Sequence, residues 1–80
     1  MIRVTVEYLA ALRDKAGTRT EEVTTAARRV KDLYCEVAAR HGFLLPSSSI
    51  KAVMRDEFVE MGAEVHDGDK VSFLPPVAGG

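Results

Sequence analysis

Ala26-Ala27-Arg28-Arg29-Val30-Lys31-Asp32-Leu33-Tyr34-Cys35-Glu36-Val37-Ala38-Ala39-Arg40-His41-Gly42 is the stretch of this chain with the clearest period. Val30, Leu33, Tyr34, Val37, Ala38 and His41 recur at helical spacing and make one stripe, with Arg29, Asp32, Glu36 and Arg40 on the other side. The pattern predicts a helix from about Ala26 to His41, with Thr24 or Thr25 as N-cap and Gly42 as the stop. A single amphipathic helix in so short a chain needs a sheet to cover.

The flanking segments supply that sheet. Ile2, Val4 and Val6 alternate with Arg3, Thr5 and Glu7, the period of a half-buried strand. Leu9 to Ala16 reads as a short helical turn ended by Gly17, and Thr18 to Thr24 as a second strand pairing antiparallel with the first. Pro46-Ser47-Ser48-Ser49 is a connecting loop. Ile50 to Met54 and Phe58 to Met61 are predicted as short strands about a turn at Arg55-Asp56-Glu57. Asp67-Gly68 is a tight-turn signal that launches a last strand, Lys70 to Leu74. Val71 and Phe73 share one face of it and Leu74 the other. The order β-β-α-β-β-β gives an α+β domain with a mixed sheet on one long helix, which a ubiquitin-like β-grasp roll satisfies. The expectation is a single domain over residues 1–80, with 75–80 as an extended, flexible Gly-Gly tail.

Composition narrows the function classes. Eleven basic and twelve acidic residues leave a net charge of −1, with no electrostatic footprint for nucleic acid. No apolar run approaches a membrane span, and Met1-Ile2-Arg3-Val4 enters a strand pattern without a signal peptide's apolar core, so a cytoplasmic protein is expected. One cysteine excludes an internal disulfide framework.

The stretch Phe73-Leu74-Pro75-Pro76-Val77-Ala78-Gly79-Gly80 is the most unusual in composition. Two prolines hold the backbone extended, and two glycines remove the side chains beyond them. A stiff stalk ending in a bare carboxylate suits insertion into a partner's active site, with that carboxylate as the reacting group. The plain alternative is a frayed chain end. The ordered apolar lead-in, Val71-Ser72-Phe73-Leu74, favours the stalk. Leu74, Val77 and Phe58 are candidates for an apolar dock beside it.

Taken together, the element order, the Asp67-Gly68-Asp69-Lys70-Val71 turn and the Phe73-to-Gly80 tail resemble the sulfur-carrier small subunits of molybdopterin synthase. The resemblance covers the whole chain, including Met1-Ile2-Arg3-Val4 and Arg13-Asp14-Lys15-Ala16-Gly17. Two features depart from the family pattern: Met54-Arg55-Asp56 stands where an Asn is common in the turn, and the loop after the first strand is slightly long. The resemblance implies a carrier and not an enzyme by itself. A ubiquitin-activating-like adenylyltransferase would use ATP to adenylate Gly80, and a sulfur donor would convert it to a thiocarboxylate. The tail residues Pro75, Pro76, Val77, Ala78, Gly79 and Gly80 would then enter the large subunit of molybdopterin synthase to build molybdopterin. No bound cofactor, metal, nucleic acid or membrane is implied. Carriers for thiamine thiazole, cysteine or tRNA thiolation share the glycine pair, and ubiquitin-like modifiers share the chemistry as far as the adenylate. These readings stay open, as does an interaction module with an inert tail.

Other reactive side chains read as structural. Cys35 falls at the edge of the polar face, where a lone cysteine is usually a half-buried packing residue. His41 is placed to cap the last helix carbonyls, and His66 lies in a turn; with Cys35 they lack metal-ligand spacing. Tyr34 belongs to the core, and Asp67 and Asp69 to turn chemistry.

Overall fold

A computed structural model describes residues 1–76. Five strands and two helices follow in the order β1 (Ile2–Tyr8), α1 (Ala11–Ala16), β2 (Thr20–Thr25), α2 (Val30–His41), β3 (Lys51–Met54), β4 (Glu57–Val59) and β5 (Lys70–Leu74), with a 3-10 turn at Ser47–Ser49. The strands make one mixed sheet in the order β2-β1-β5-β3-β4. β1 pairs antiparallel with β2 and parallel with β5, and β5 pairs antiparallel with β3. This is the ubiquitin-like β-grasp: the first and last strands lie side by side at the centre, and the helix between them crosses one face.

The alternation in β1 does what its period requires. Val4, Val6 and Tyr8 are buried with Val71 and Phe73 of β5 and with Val30, Leu33, Tyr34 and Val37 of α2. Gly42 ends α2 in the left-handed region (φ 75°), and the Phe43 N–H donates to the Ala38 carbonyl. Tyr34 stays in the core by donating its hydroxyl to the Leu45 carbonyl at 2.6 Å.

The start of α2 departs from the sequence reading. The helix begins at Val30, not Ala26, and neither Thr24 nor Thr25 caps it. Both threonines close β2. Thr25 Oγ1 accepts the Ala27 N–H at 2.9 Å while its hydroxyl donates to Glu36. Residues 26–29 lie outside the helix, with Arg29 extended and bridged to Glu64. The orphan donors of the first helical turn are satisfied from across the molecule: Val30 N–H by Ala63 O at 2.9 Å, Lys31 N–H by Met61 O at 2.8 Å. The same bonds explain why β4 ends at Val59 instead of Met61. Beyond it the chain turns from the sheet to offer those carbonyls.

Turns carry positive φ where expected and once where it is not. Gly68 (φ 89°) turns the chain into β5, and Arg55 and Asp56 (52° and 63°) form the two-residue hairpin between β3 and β4. Ala10, between β1 and α1, sits at φ 52°, ψ −129°. Leu12 N–H donates to Leu9 O at 3.1 Å, so Ala10 holds the turn position normally given to glycine. Such a conformation costs a residue with a Cβ about 1–3 kcal/mol. Ala10→Gly is expected to raise stability by roughly 1 kcal/mol, seen as a melting temperature higher by roughly 4–8 °C in a thermal scan. A lower melting temperature would refute the strain.

Candidate functional site

β5 leads straight to the tail, so the site is built around its end. Phe73 is buried under the helix, its ring 5.3 Å from that of Tyr34. Leu74 therefore points to the opposite, outer face of the sheet, as the alternation predicts. Pairing stops there. Pro75 is buried and Pro76 exposed, so the described chain leaves the body of the domain one residue later than the sequence suggests. The expectations for Val77, Ala78, Gly79 and Gly80 fall outside the described residues.

Leu74 and Phe58 do come together. A groove of about 660 Å³ on the outer side is lined by both, with Lys51, Val59, Glu60 and Met61. Phe58 is 70% exposed, a large apolar side chain left to solvent next to the root of the tail. Lys51 stands directly opposite Leu74 in the β3–β5 register.

Beside the groove lies a polar cluster that sequence reasoning missed. The register sets Glu7 beside Ser72, Ser72 opposite Val53, and Val53 opposite Phe58, one row across four strands. Glu7 Oε1 accepts the Ser72 hydroxyl at 2.7 Å; Arg19 Nε donates to Oε2 at 3.1 Å, and Lys70 Nζ stands 3.8 Å from Oε1. The Ser72 hydrogen bond holds the Glu7 carboxyl below its ordinary value, against burial that pushes it up; Arg19 and Lys70 add to the lowering. The partners are 65 residues apart in sequence, and no local pattern pairs them. Between this cluster and the β3–β4 hairpin is a hollow of about 420 Å³, whose lining includes Val53, Arg55, Asp69 and Lys70.

The remaining reactive side chains sort into structural roles. Asp67 and Asp69 serve the turn: Asp67 Oδ1 accepts the Arg3 N–H and Asp69 Oδ2 the His66 N–H, each at 2.8 Å. Cys35 is exposed and not half-buried. His41 does not cap carbonyls; its Nε2 lies 2.6 Å from Glu21 Oε1, which also accepts the Tyr8 hydroxyl. Burial pushes the Glu21 carboxyl up, but the hydrogen bonds from His41 and Tyr8 outweigh it and the carboxyl is lowered. Burial and the Glu21 bond raise the Tyr8 hydroxyl. This cluster ties β2 to the end of α2. No group of three or more metal-ligating side chains forms among the described residues, and no described helix is long and apolar enough to cross a membrane.

A β-grasp body whose central last strand runs into a proline-proline, glycine-glycine segment defines a ubiquitin-like carrier class. Comparison with known proteins places the chain within it. The ThiS family model matches residues 6–80, and the chain belongs to the ThiS family of sulfur carriers. It is homologous to the molybdopterin synthase sulfur carrier subunit of Escherichia coli (strain K12): 31% identical over 80 residues, spanning 96% of this chain and 99% of that protein. A chain of the Amycolatopsis orientalis BexX/CysO complex is 31% identical, with 96% of this chain and 99% of that one covered and a TM-score of 0.68. Small archaeal modifier protein 1 of Haloferax volcanii, 22% identical over 96% of this chain and 100% of its own, has a TM-score of 0.80 and speaks for the fold alone.

The Glu7–Ser72 bond gives stability a pH signature. Because the folded carboxyl titrates below its ordinary value of 4.5, the stabilisation is complete above that value and fades as pH falls through the lower folded one. Ser72→Ala is expected to lower stability by roughly 1.5 kcal/mol at neutral pH. In urea titrations the gap from the parent chain should narrow below 4.5. A gap independent of pH would show that the carboxylate is not what the hydroxyl serves.

Proposed function

We propose that this chain is the small, sulfur-carrying subunit of a molybdopterin synthase, with the carboxylate of Gly80 as the carrier group. The observation that carries the reading is the family match through residue 80, together with near-complete coverage of the Escherichia coli carrier subunit. The geometry of the last strand suits it. β5 is fixed on both sides in the sheet, and the chain leaves it at Leu74 next to an apolar groove.

The chemistry needs no acid or base from this chain. The Gly80 carboxylate attacks the α-phosphorus of ATP on a ubiquitin-activating-like adenylyltransferase, and pyrophosphate leaves. Sulfur from a donor then displaces AMP, leaving a thiocarboxylate. Within the large subunit of molybdopterin synthase that sulfur attacks cyclic pyranopterin monophosphate. Water cleaves the resulting thioester, so that the sulfur stays on the pterin and the tail returns to a carboxylate. A second loaded carrier chain delivers the other sulfur of the dithiolene. ATP is the partner's substrate, and a cytoplasmic cycle is part of this reading. Tethering the sulfur to a docked protein raises its effective concentration at the acceptor. Pro75 and Pro76 limit the freedom lost when the tail docks, and Gly79 and Gly80 let backbone pass through a narrow channel. Leu74 and Phe58 are the apolar contacts that seat the body while Val77, Ala78, Gly79 and Gly80 enter the partner.

A second sulfur-carrier route is favoured by the equal 31% identity to a chain of the BexX/CysO complex. Pull-down against the large synthase subunit and against a BexX-type partner separates the two.

Incubation with ATP, the adenylyltransferase and a sulfur donor should exchange one terminal oxygen for sulfur by intact mass. The full chain should also restore a molybdenum-cofactor-deficient strain, and a chain lacking Gly79 and Gly80 should not. An unmodified terminus, or full rescue by the truncated chain, would overturn the assignment.

A further inference from the structure

Along one edge of the sheet, backbone groups point away from the rest of the chain. β2 is the first strand in the sheet order and pairs with β1 alone. The Tyr8 N–H donates to the Arg19 carbonyl at 2.7 Å, which fixes the phase of their ladder. Bonded pairs alternate along an antiparallel ladder, so Glu21, Val23 and Thr25 bond to β1. Thr20, Glu22 and Thr24 therefore turn their N–H and C=O groups outward. The Thr20 carbonyl accepts the Thr18 hydroxyl at 2.9 Å, as an outward group can. Within the described residues no bond satisfies the outward groups of Glu22 and Thr24.

An edge strand is commonly guarded against pairing by brevity, lysine, proline, a bulge or an unanswered charge. β4, at the other edge, is three residues long, with Asp56, Glu57 and Glu60 exposed along it. β2 has no such guard. Thr20-Glu21-Glu22-Val23-Thr24-Thr25 runs in unbroken register without lysine, proline or bulge. Its two carboxylates are answered inside the chain, Glu22 by Arg3 at 3.3 Å and Glu21 by His41, Tyr8 and Arg40.

We propose that β2 pairs antiparallel with β2 of a second copy of this chain, about a two-fold axis at Val23. Three two-fold registers bring two or more outward residues of each strand together. One sets Glu22 against the partner's Glu22, and another sets Glu21 against the partner's Glu21; like charges directly opposite are destabilising. Both also draw on the Thr20 carbonyl that Thr18 already occupies. The third sets Glu22 against the partner's Thr24 and Val23 against the partner's Val23, with two backbone bonds in each Glu22–Thr24 pair. On the helix side it sets Glu21 against the partner's Thr25. Glu21 pairs with Arg40, and Thr25 donates to Glu36. Arg40 thus comes level with the partner's Glu36, and opposite charges meet at both ends of the seam. β5 lies two strands from the seam, so the groove beside Leu74 stays uncovered in both copies. The pairing needs nothing from the sulfur-carrier reading. A seam this narrow is smaller than a standard interface, so the dimer forms only in concentrated solution.

The test is sedimentation velocity on the full chain from micromolar to millimolar concentration, with reductant present because Cys35 is exposed. Amide hydrogen exchange is read by NMR at both extremes. The average mass should rise toward twice the monomer's. The Glu22 and Thr24 amides should exchange about tenfold or more slowly in concentrated solution than in dilute, while Thr20 is unchanged. Thr24→Pro removes an outward N–H and breaks no bond to β1, so that variant should fold and stay monomeric. Thr24→Ala keeps the donor and should dimerise like the parent chain. A parent chain that is still monomeric at millimolar concentration overturns the proposal. So does a dimer whose Glu22 and Thr24 amides stay unprotected, a reading that needs no variant to fold. Protection at Thr20 would overturn the register.

Discussion

The parallel pairing of β1 with β5 is the constraint on which the molecule depends. Only four residue pairs make it, Thr5 to Tyr8 against Lys70 to Phe73, yet they join the two ends of the fold at the centre of the sheet. A parallel neighbour is reached only by a crossover, and α2 supplies it across the face that buries Val6, Tyr8, Val71 and Phe73. Burial of side chains of this size contributes about 1.5–3 kcal/mol each. On the other face the Glu7–Ser72 bond fastens the same two strands. β5 is thus held by neighbours on both edges, by packing on one face and by a hydrogen bond on the other, and the segment that leaves it starts from a fixed point. A tail on a fixed root has fewer conformations to lose on entering a partner, which is where a carrier gains affinity without added contact area.

What could be read from the chain divides by range. The stripe Val30, Leu33, Tyr34, Val37 and the alternation Val4, Val6 are local periods, and the buried sets follow them. Gly42 and Asp67-Gly68 are local stop and turn signals, and both mark the boundaries found. The failures are long-range. α2 starts at Val30 because carbonyls of Met61 and Ala63, some thirty residues on, take its first donors, a satisfaction no cap signal announces. His41 was legible as a residue near a helix end, but its partner Glu21 lies on β2 and came into view only with the fold. Cys35 falls outside the stripe by an angle too small to judge from spacing.

The candidate site shows the same division. Leu74 on the outer face follows from strand alternation once Phe73 is in the core, and Phe58 joins it across the β3–β4 hairpin. Glu7 could not be singled out, since an acidic residue in the polar phase of an amphipathic strand is ordinary. Its burial results from a serine 65 positions away standing beside it in register.

A buried carboxylate on the solvent side of a sheet is at first sight a poor choice. Removing a charge from water costs several kcal/mol when nothing compensates it. Here the compensation is assembled within the chain: a hydroxyl from β5, a guanidinium from the loop before β2 and an ammonium at the head of β5 converge on one carboxylate. The strand that carries the tail therefore also carries two of the three groups that neutralise Glu7. Displacing β5 would break the central pairing and strand that charge at once. The cluster thus penalises movement of β5, the strand from which the Pro75–Gly80 segment continues.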